Sequence, residues 1–493
     1  MLRLPRSRTL AALTGLASLL ALTFGVGVAD AHGLVGRRDL PVPTWLFAWA
    51  ASAVLIASFV GLGALWREPR LGRANERRLF RVPRWLEVPF GILGVALLVL
   101  TIVAGLRGVQ IDTANFAPTS LFVALWLGVP FLSLLVGDLY AVLNPIRAVG
   151  RATGWVAGRI AGDRLPEALA WPERLGRWPA AVGLALFAWV ELCFPGRGDP
   201  SQLAVLILLF CLVHGVGMSL YGTEAWVRNA DPFAAWFGWV ARLAPLRWDG
   251  GTAYLRAPGV GAAKERPVAG DAAIVIVAIG TTTWDGLSGG ELMGTTVADL
   301  ANDITGGFLS ATWANAVVNT IFMLLAIGVV TALIFAGARG MISQRARDAA
   351  AKAREDGRAQ GGPPATATLV REFAPSLVPI AVAYAVGHYL SLLAFQGQAI
   401  LPLLSNPYGT LAEGDGGWLG AAGWTIDYTW LSSNAIWYLQ VAALVTGHVM
   451  SLTLSHDRAL ERFPRKRAAR SQRAMLVVAV LFTCNGLWLL SSV

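Results

Sequence analysis

The sequence predicts an all-α polytopic membrane bundle, with about ten transmembrane helices following a cleaved signal peptide. Three observations carry that prediction. Of 493 residues, 55% are hydrophobic and 14% charged, with 20 Trp and 20 Phe, an average that no soluble domain of this size tolerates on its surface. Ten apolar stretches have near-membrane length, approximately 44–66, 87–106, 121–141, 179–195, 203–221, 271–289, 316–337, 376–396, 433–454 and 474–492. Finally, the five loops on one side of that layout hold seven, six, six, seven and seven Lys and Arg, 33 of the 40 in the chain. By the positive-inside rule those loops are cytoplasmic, and both mature termini lie outside a bacterial plasma membrane. The net charge of +10 is therefore a topology signal and gives no support to a nucleic-acid partner.

Residues 1–31 read as an export signal: Arg3, Arg6 and Arg8, an apolar run from Leu10 to Val28, and Ala29-Asp30-Ala31 as the small-x-small cleavage site. Cleavage leaves His32 at the mature terminus, where an amine and an imidazole together can bind copper weakly. Residues 32–493 then form a single transmembrane domain. The third span runs into Asp138 and Asn144-Pro145, and the fifth into Glu224 and Asp231-Pro232. Each is followed by Gly-Trp-Val-Ala, at Gly154 and at Gly238, the outline of a weak internal repeat or a chance likeness.

The sixth span loses its apolar pattern over Thr281-Thr282-Thr283-Trp284-Asp285-Gly286-Leu287-Ser288-Gly289-Gly290, which predicts a broken helix or re-entrant segment with Asp285 facing an external cavity. Glu291 to Ala314 reads as an amphipathic external element. About 343–371, rich in charge, Ala and Gly-Gly-Pro-Pro, reads as a cytoplasmic helix and linker with no apolar face to bury. The external loop at about 402–431 carries Trp418, Trp424 and Trp430, as an interfacial lid would. Cys193, Cys211 and Cys484 lie in or beside apolar spans without Cys-x-x-Cys spacing, so they read as small packing residues.

Ionisable groups inside spans are expensive and mark functional sites. Here they are Asp138, Glu191, His214, Asp285, His388 and His448, with Glu224, His456 and Asp457 at the inner edge. Gly387-His388-Tyr389-Leu390-Ser391-Leu392 and Gly447-His448-Val449-Met450-Ser451-Leu452 share a Gly-His-x-x-Ser-Leu pattern. His448 and His456 are separated by about 12 Å along their helix and cannot share a metal. His214, His388 and His448, on three spans, are expected to hold a divalent metal, zinc first, with Asp138 as fourth ligand or base for bound water. The bland reading gives each histidine only a serine or a backbone carbonyl across a helix interface. Glu191 and Asp285 are shallower and suit an entrance.

Several of these stretches together carry a resemblance. His32-Gly-Leu-Val-Gly-Arg-Arg-Asp-Leu-Pro with Trp45-Leu-Phe-Ala-Trp, Asn144-Pro145, Thr281-Thr-Thr-Trp-Asp-Gly286, His388-Tyr-Leu with Phe395-Gln-Gly-Gln398, and Gly447-His448 with His456-Asp-Arg-Ala-Leu460 resemble actinobacterial polytopic membrane proteins catalogued as fenitrothion hydrolase. The resemblance covers nearly all of the mature chain. It implies hydrolysis of a lipophilic phosphotriester with release of a phenol, and Asp138 and Asp285 are then the candidate catalytic carboxylates. Such chemistry needs an apolar pocket beside an activated hydroxide. The alternatives are a transporter or channel, favoured by the irregular sixth span and the repeat, and a haem-bearing electron carrier with two of the three histidines on the iron. Partners on every reading include membrane lipid, and on the hydrolase reading a lipophilic small molecule.

Overall fold

The computed structural model describes residues 44–161, 166–306, 309–342, 365–412, 414–463, 468 and 470–492. The expected signal segment, His32, most of the 343–371 linker and Glu413 lie outside them. In chain order the helices are α1 (Thr44–Leu65), α2 (Glu87–Arg107), α3 (Phe116–Val136), α4 (Leu139–Leu143), α5 (Pro145–Ala161), α6 (Trp178–Leu192), α7 (Pro200–Tyr221), α8 (Thr223–Ala230), α9 (Pro232–Ala241), α10 (Val260–Lys264), α11 (Asp271–Ser288), α12 (Glu291–Ile304), α13 (Ala311–Met341), α14 (Thr366–Phe373), α15 (Val378–Gln396), α16 (Ile400–Ser405), α17 (Ser433–Arg462) and α18 (Arg473–Ser492).

Each of the ten apolar stretches contains a helix. Among the described residues six helical runs are long and apolar enough to cross a membrane: Arg84–Arg107, Phe116–Val136, Pro200–Tyr221, Ala311–Met341, Thr366–Ser405 and Ser433–Arg462. A seventh is counted if α11 and the helix after it, bent from it by 88°, are taken as one. The chain is thus a mostly helical protein with membrane-length apolar helices.

Small residues let these helices touch. On α2, Gly91, Gly94, Thr101, Ala104 and Gly105 form a buried stripe, while Val88, Ile92 and Val99 are exposed. A Cβ on Gly94 would stand 1.9 Å from the Leu143 carbonyl oxygen, so only glycine permits that approach. α11 occupies the centre: Ile274, Val275 and Ile279 are fully buried, and the helix packs on α6, α13 and α15.

The sixth span breaks inside the stretch where its apolar pattern is lost: α11 runs on through Thr281, whose Oγ1 bonds back to the Val277 carbonyl at 2.8 Å, and stops at Gly289-Gly290, with the next helix bent from it by 88°. Three features depart from the sequence reading. Within α3, Thr119–Gly128 is wound as a π-helix, a rare geometry that is frequent at functional sites. The end of the expected linker is α14, whose Leu369, Val370 and Phe373 are buried, so that stretch does have an apolar face. Last, a small antiparallel sheet interrupts the all-α plan, with β1 (Arg77–Arg81), β2 (Leu246–Asp249) and β3 (Thr252–Leu255) in the order β1-β3-β2. Gly250 and Gly251, at φ 56° and 81°, close the two-residue β2–β3 turn that demands positive φ at both positions.

The two Asx-Pro segments meet. α3 ends at Gly137 (φ 87°) and α7 at Gly222 (φ 78°); each is followed by a short helix and then by an Asx-Pro that starts another. Asn144 Oδ1 accepts from Arg147 N at 2.9 Å, and Asp231 Oδ1 accepts from Phe233 N and Ala234 N at 2.9 and 3.1 Å. Facing each other, Asn144 Nδ2 donates to Asp231 Oδ2 at 2.8 Å, with both residues buried. The following tryptophans are not equivalent, since Trp155 is exposed and Trp239 fully buried.

Candidate functional site

The polar centre forms where α6, α11 and α15 meet. Asp285 extends from the last turn of α11, and α15 presents His388 and Tyr389 in succession. Asp285 Oδ2 receives both of them, His388 Nε2 at 2.8 Å and Tyr389 Oη at 2.6 Å. The side chains of His388 and Asp285 are only 15% and 13% exposed, so this is an intrabundle contact and not a surface ion pair. Glu191, near the end of α6, lies close enough to feel the charge of Asp285. Two carboxylates, an imidazole and a phenol in an apolar bundle make a group that can take up, hold and pass on a proton.

Tyr389 also lines a cavity on its other side. Trp126, Leu127, Pro130 and Phe131 of α3, Trp236 and Val240 of α9, Ala278 and Thr282 of α11, and Ala381, Val382 and Ala385 of α15 complete its wall. The cavity encloses about 440 Å³ of empty space with its open mouth included, but a water's centre can move through only about 20 Å³ of it. That is room for an ordered water, not for an organic substrate in this conformation. The π-helical turn supplies Trp126 and Leu127 to this wall.

The other expected site residues lie elsewhere. Asp138 caps α4, accepting from Ala141 N at 3.0 Å, and its charged neighbours are Arg242, Arg147 and Asp231. His214 Nδ1 donates to the Phe210 carbonyl, 2.9 Å away, and the ring lies beside those of Phe210 and Trp226. His448 does the same at the Leu444 carbonyl, 2.7 Å away, beside Tyr384. A carbonyl can only accept, so Nδ1 carries the proton in both rings. The Nε2 of each is buried without a partner among the described residues. That tautomer suits a metal or haem ligand. The expected convergence is nevertheless not seen: among the described residues no three His, Cys, Asp or Glu side chains are grouped around a common ion position. Three histidines at similar depth on three helices still face three different interfaces, and depth was the only coordinate the spacing supplied.

His456 and Asp457, at the inner edge, fasten a loop. Asp457 accepts from Trp66 Nε1, Arg70 N, Leu71 N and Gly72 N at 2.9, 2.6, 3.1 and 3.3 Å, while His456 Nε2 approaches the Trp66 carbonyl at 3.1 Å. At the ends of other helices, Arg147 and Arg151 clamp Glu224 at 2.7 and 2.8 Å. Partial burial pushes the Glu224 carboxyl up, but hydrogen bonds from the two arginines outweigh it and hold the group below its ordinary value. The clamp's contribution is therefore present at neutral pH and is lost as pH falls through that lowered value.

Fold and site together define a helical bundle with membrane-length spans and a buried acid–base cluster beside a water-sized cavity. No family model, no curated protein and no solved structure matches the chain.

Proposed function

We infer that the protein is an integral membrane transporter that moves protons, alone or coupled to a small solute, with Asp285 and His388 as the proton-carrying pair. The observation that carries this reading is the shared Asp285 oxygen, bonded to His388 and Tyr389 inside the bundle with Glu191 close by. Burying such groups opposes folding, and intramembrane acid and histidine chains are the usual proton relays. The neighbouring cavity supplies space for a water, and the Asn144 and Asp231 helix starts meet in a paired broken-helix arrangement of the kind that repeat-built transporters contain.

The bilayer placement belongs to the same proposal: ten crossings in the plasma membrane, a cleaved signal, and both mature ends outside. Reporter fusions after Arg84, Arg177, Arg266, Arg358 and Arg470 are expected to report cytoplasm, and exterior signals from any two of them would end the ten-span layout.

The second reading, a hydrolase of a lipophilic ester, is supported by the sequence resemblance and by the apolar walls of the cavity at Tyr389. The described residues do not assemble a three-ligand metal set, so no metal-dependent step is derived. One preparation separates the readings. Purified protein in liposomes is expected to carry protons down an imposed gradient, followed by an internal pH dye, and to leave fenitrothion unhydrolysed. Release of yellow nitrophenolate without proton flux would replace transport by hydrolysis, and a Soret band with neither activity would point to the His214 and His448 tautomers as haem ligands.

A further inference from the structure

The small sheet carries arginine side chains that no described carboxylate reaches. Several cytoplasmic-side basic groups are paired: Arg147 and Arg151 with Glu224, Arg242 with Glu265, Arg247 and Lys264 with Glu76, and Arg462 with Glu372. By contrast, the side chains of Arg77, Arg78, Arg81 and Arg84 have no hydrogen bond or ion pair to any described residue. All five residues of β1 are exposed.

Register then decides where those guanidinium groups lie. Arg78 pairs with Tyr254 and Arg81 with Thr252, so three steps along β1 match two along β3 and one residue is bulged out. Tyr254 and Thr252 share a face of the sheet, and the bulge therefore places Arg78 and Arg81 on that face together. A regular strand would have put them on opposite faces. On the other face Phe80 meets Trp248 edge to ring at 5.8 Å, above buried Ala253, and both aromatics remain partly exposed. Beyond the strand, the Arg84 guanidinium lies against Gly250 in the hairpin turn.

Two tethers fix the level of this sheet. β1 runs almost directly into the span that begins at Arg84, and Trp248 Nε1 donates to the Val136 carbonyl, the last residue of another span, at 2.8 Å. Exposed Trp85 sits at the same place. A sheet held at the ends of two apolar helices, with Phe80 and Trp248 on one face and the Arg78 and Arg81 guanidinium groups on the other, is positioned among lipid headgroups. Arginine forks match phosphate oxygens. We propose that Arg78 and Arg81, with Arg84 beside them, form a binding site for the phosphate of an anionic phospholipid. Topology alone asks for basic residues on this side. It does not ask for a bulge that aligns two of them.

The test uses the full-length protein in neutral detergent, with lipid retention read by native mass spectrometry. The unmodified protein is expected to retain phosphatidylglycerol in preference to phosphatidylcholine, and R78Q/R81Q to bind it more weakly by roughly fivefold per arginine, on the order of twentyfold for the pair. R107Q, an exposed arginine at the opposite end of the same span, should leave the preference intact. Should the double variant misfold, the unmodified protein supplies the answer through salt, since the preference should collapse at high ionic strength. Equal retention of the two lipids, unchanged affinity in R78Q/R81Q, or equal protection by free glycerol phosphate would each overturn the proposal. The first two outcomes would leave the arginines a topology role only, and the third would make the site one for a soluble anion.

Discussion

Replacing Asp285 by Asn is expected to lower proton flux in liposomes by on the order of 100-fold, the effect typical of removing a positioned proton-transfer group. The amide keeps the shape and can still meet His388 Nε2 and Tyr389 Oη, which now converge on one oxygen at 2.8 and 2.6 Å, but it cannot take up a proton. His388→Gln should fall by a similar factor, because a second titratable partner is then missing. Tyr389→Phe removes one donor while leaving the acid and the imidazole, so a smaller loss, roughly tenfold, is expected. Thermal unfolding of the variants separates transport from stability: Asp285→Asn should unfold within a few degrees of the unmodified protein. Unchanged flux in Asp285→Asn would make the cluster a structural contact and remove the observation on which transport rests.

The apolar helices were legible because their signal is local. Composition and loop charge mark where a helix begins and ends, and α2, α7, α13 and α17 each cover the stretch assigned to them. Partners across the bundle were not legible, because helical depth says nothing about which interface a side chain faces. His388, grouped by depth with His214 and His448, is turned instead toward Asp285, a residue that spacing had set at an entrance. Tyr389 went unnoticed beside it, although a tyrosine next to a buried histidine was the available hint. The repeat was weak as sequence because the intervals differ, from Gly137 to Asn144 and from Gly222 to Asp231, and only the contact between the two Asx residues gives it meaning. The sheet was hidden for another reason. β1 is Arg-Arg-Leu-Phe-Arg, whose charge made it look like loop, whereas Gly250-Gly251 was a hairpin signal in plain view.

A second large effect is expected far from the proton pair, where α6, α9 and α11 are tied together at one end of the bundle. Asp271, fully buried at the start of α11, accepts from Arg177 Nη1 at 2.8 Å, from Trp239 Nε1 at 3.0 Å and from Val268 N at 2.7 Å. Arg177 in turn donates through Nε to the Arg228 carbonyl at 3.2 Å, and its backbone N–H reaches the Ala269 carbonyl at 2.6 Å. Arg177→Met removes the cation but leaves the carboxylate where water cannot reach it. Breaking a buried pair from one side costs about 3–5 kcal/mol, mostly the penalty of the stranded charge. The unfolding midpoint in detergent, followed by tryptophan fluorescence, should fall by roughly 5–10 °C. Replacing both partners, as Arg177→Met with Asp271→Leu, takes away the stranded charge as well, and the double variant should recover much of the loss. If Arg177→Met unfolds with the unmodified protein, water or another cation reaches Asp271, and the junction is not the anchor of α11.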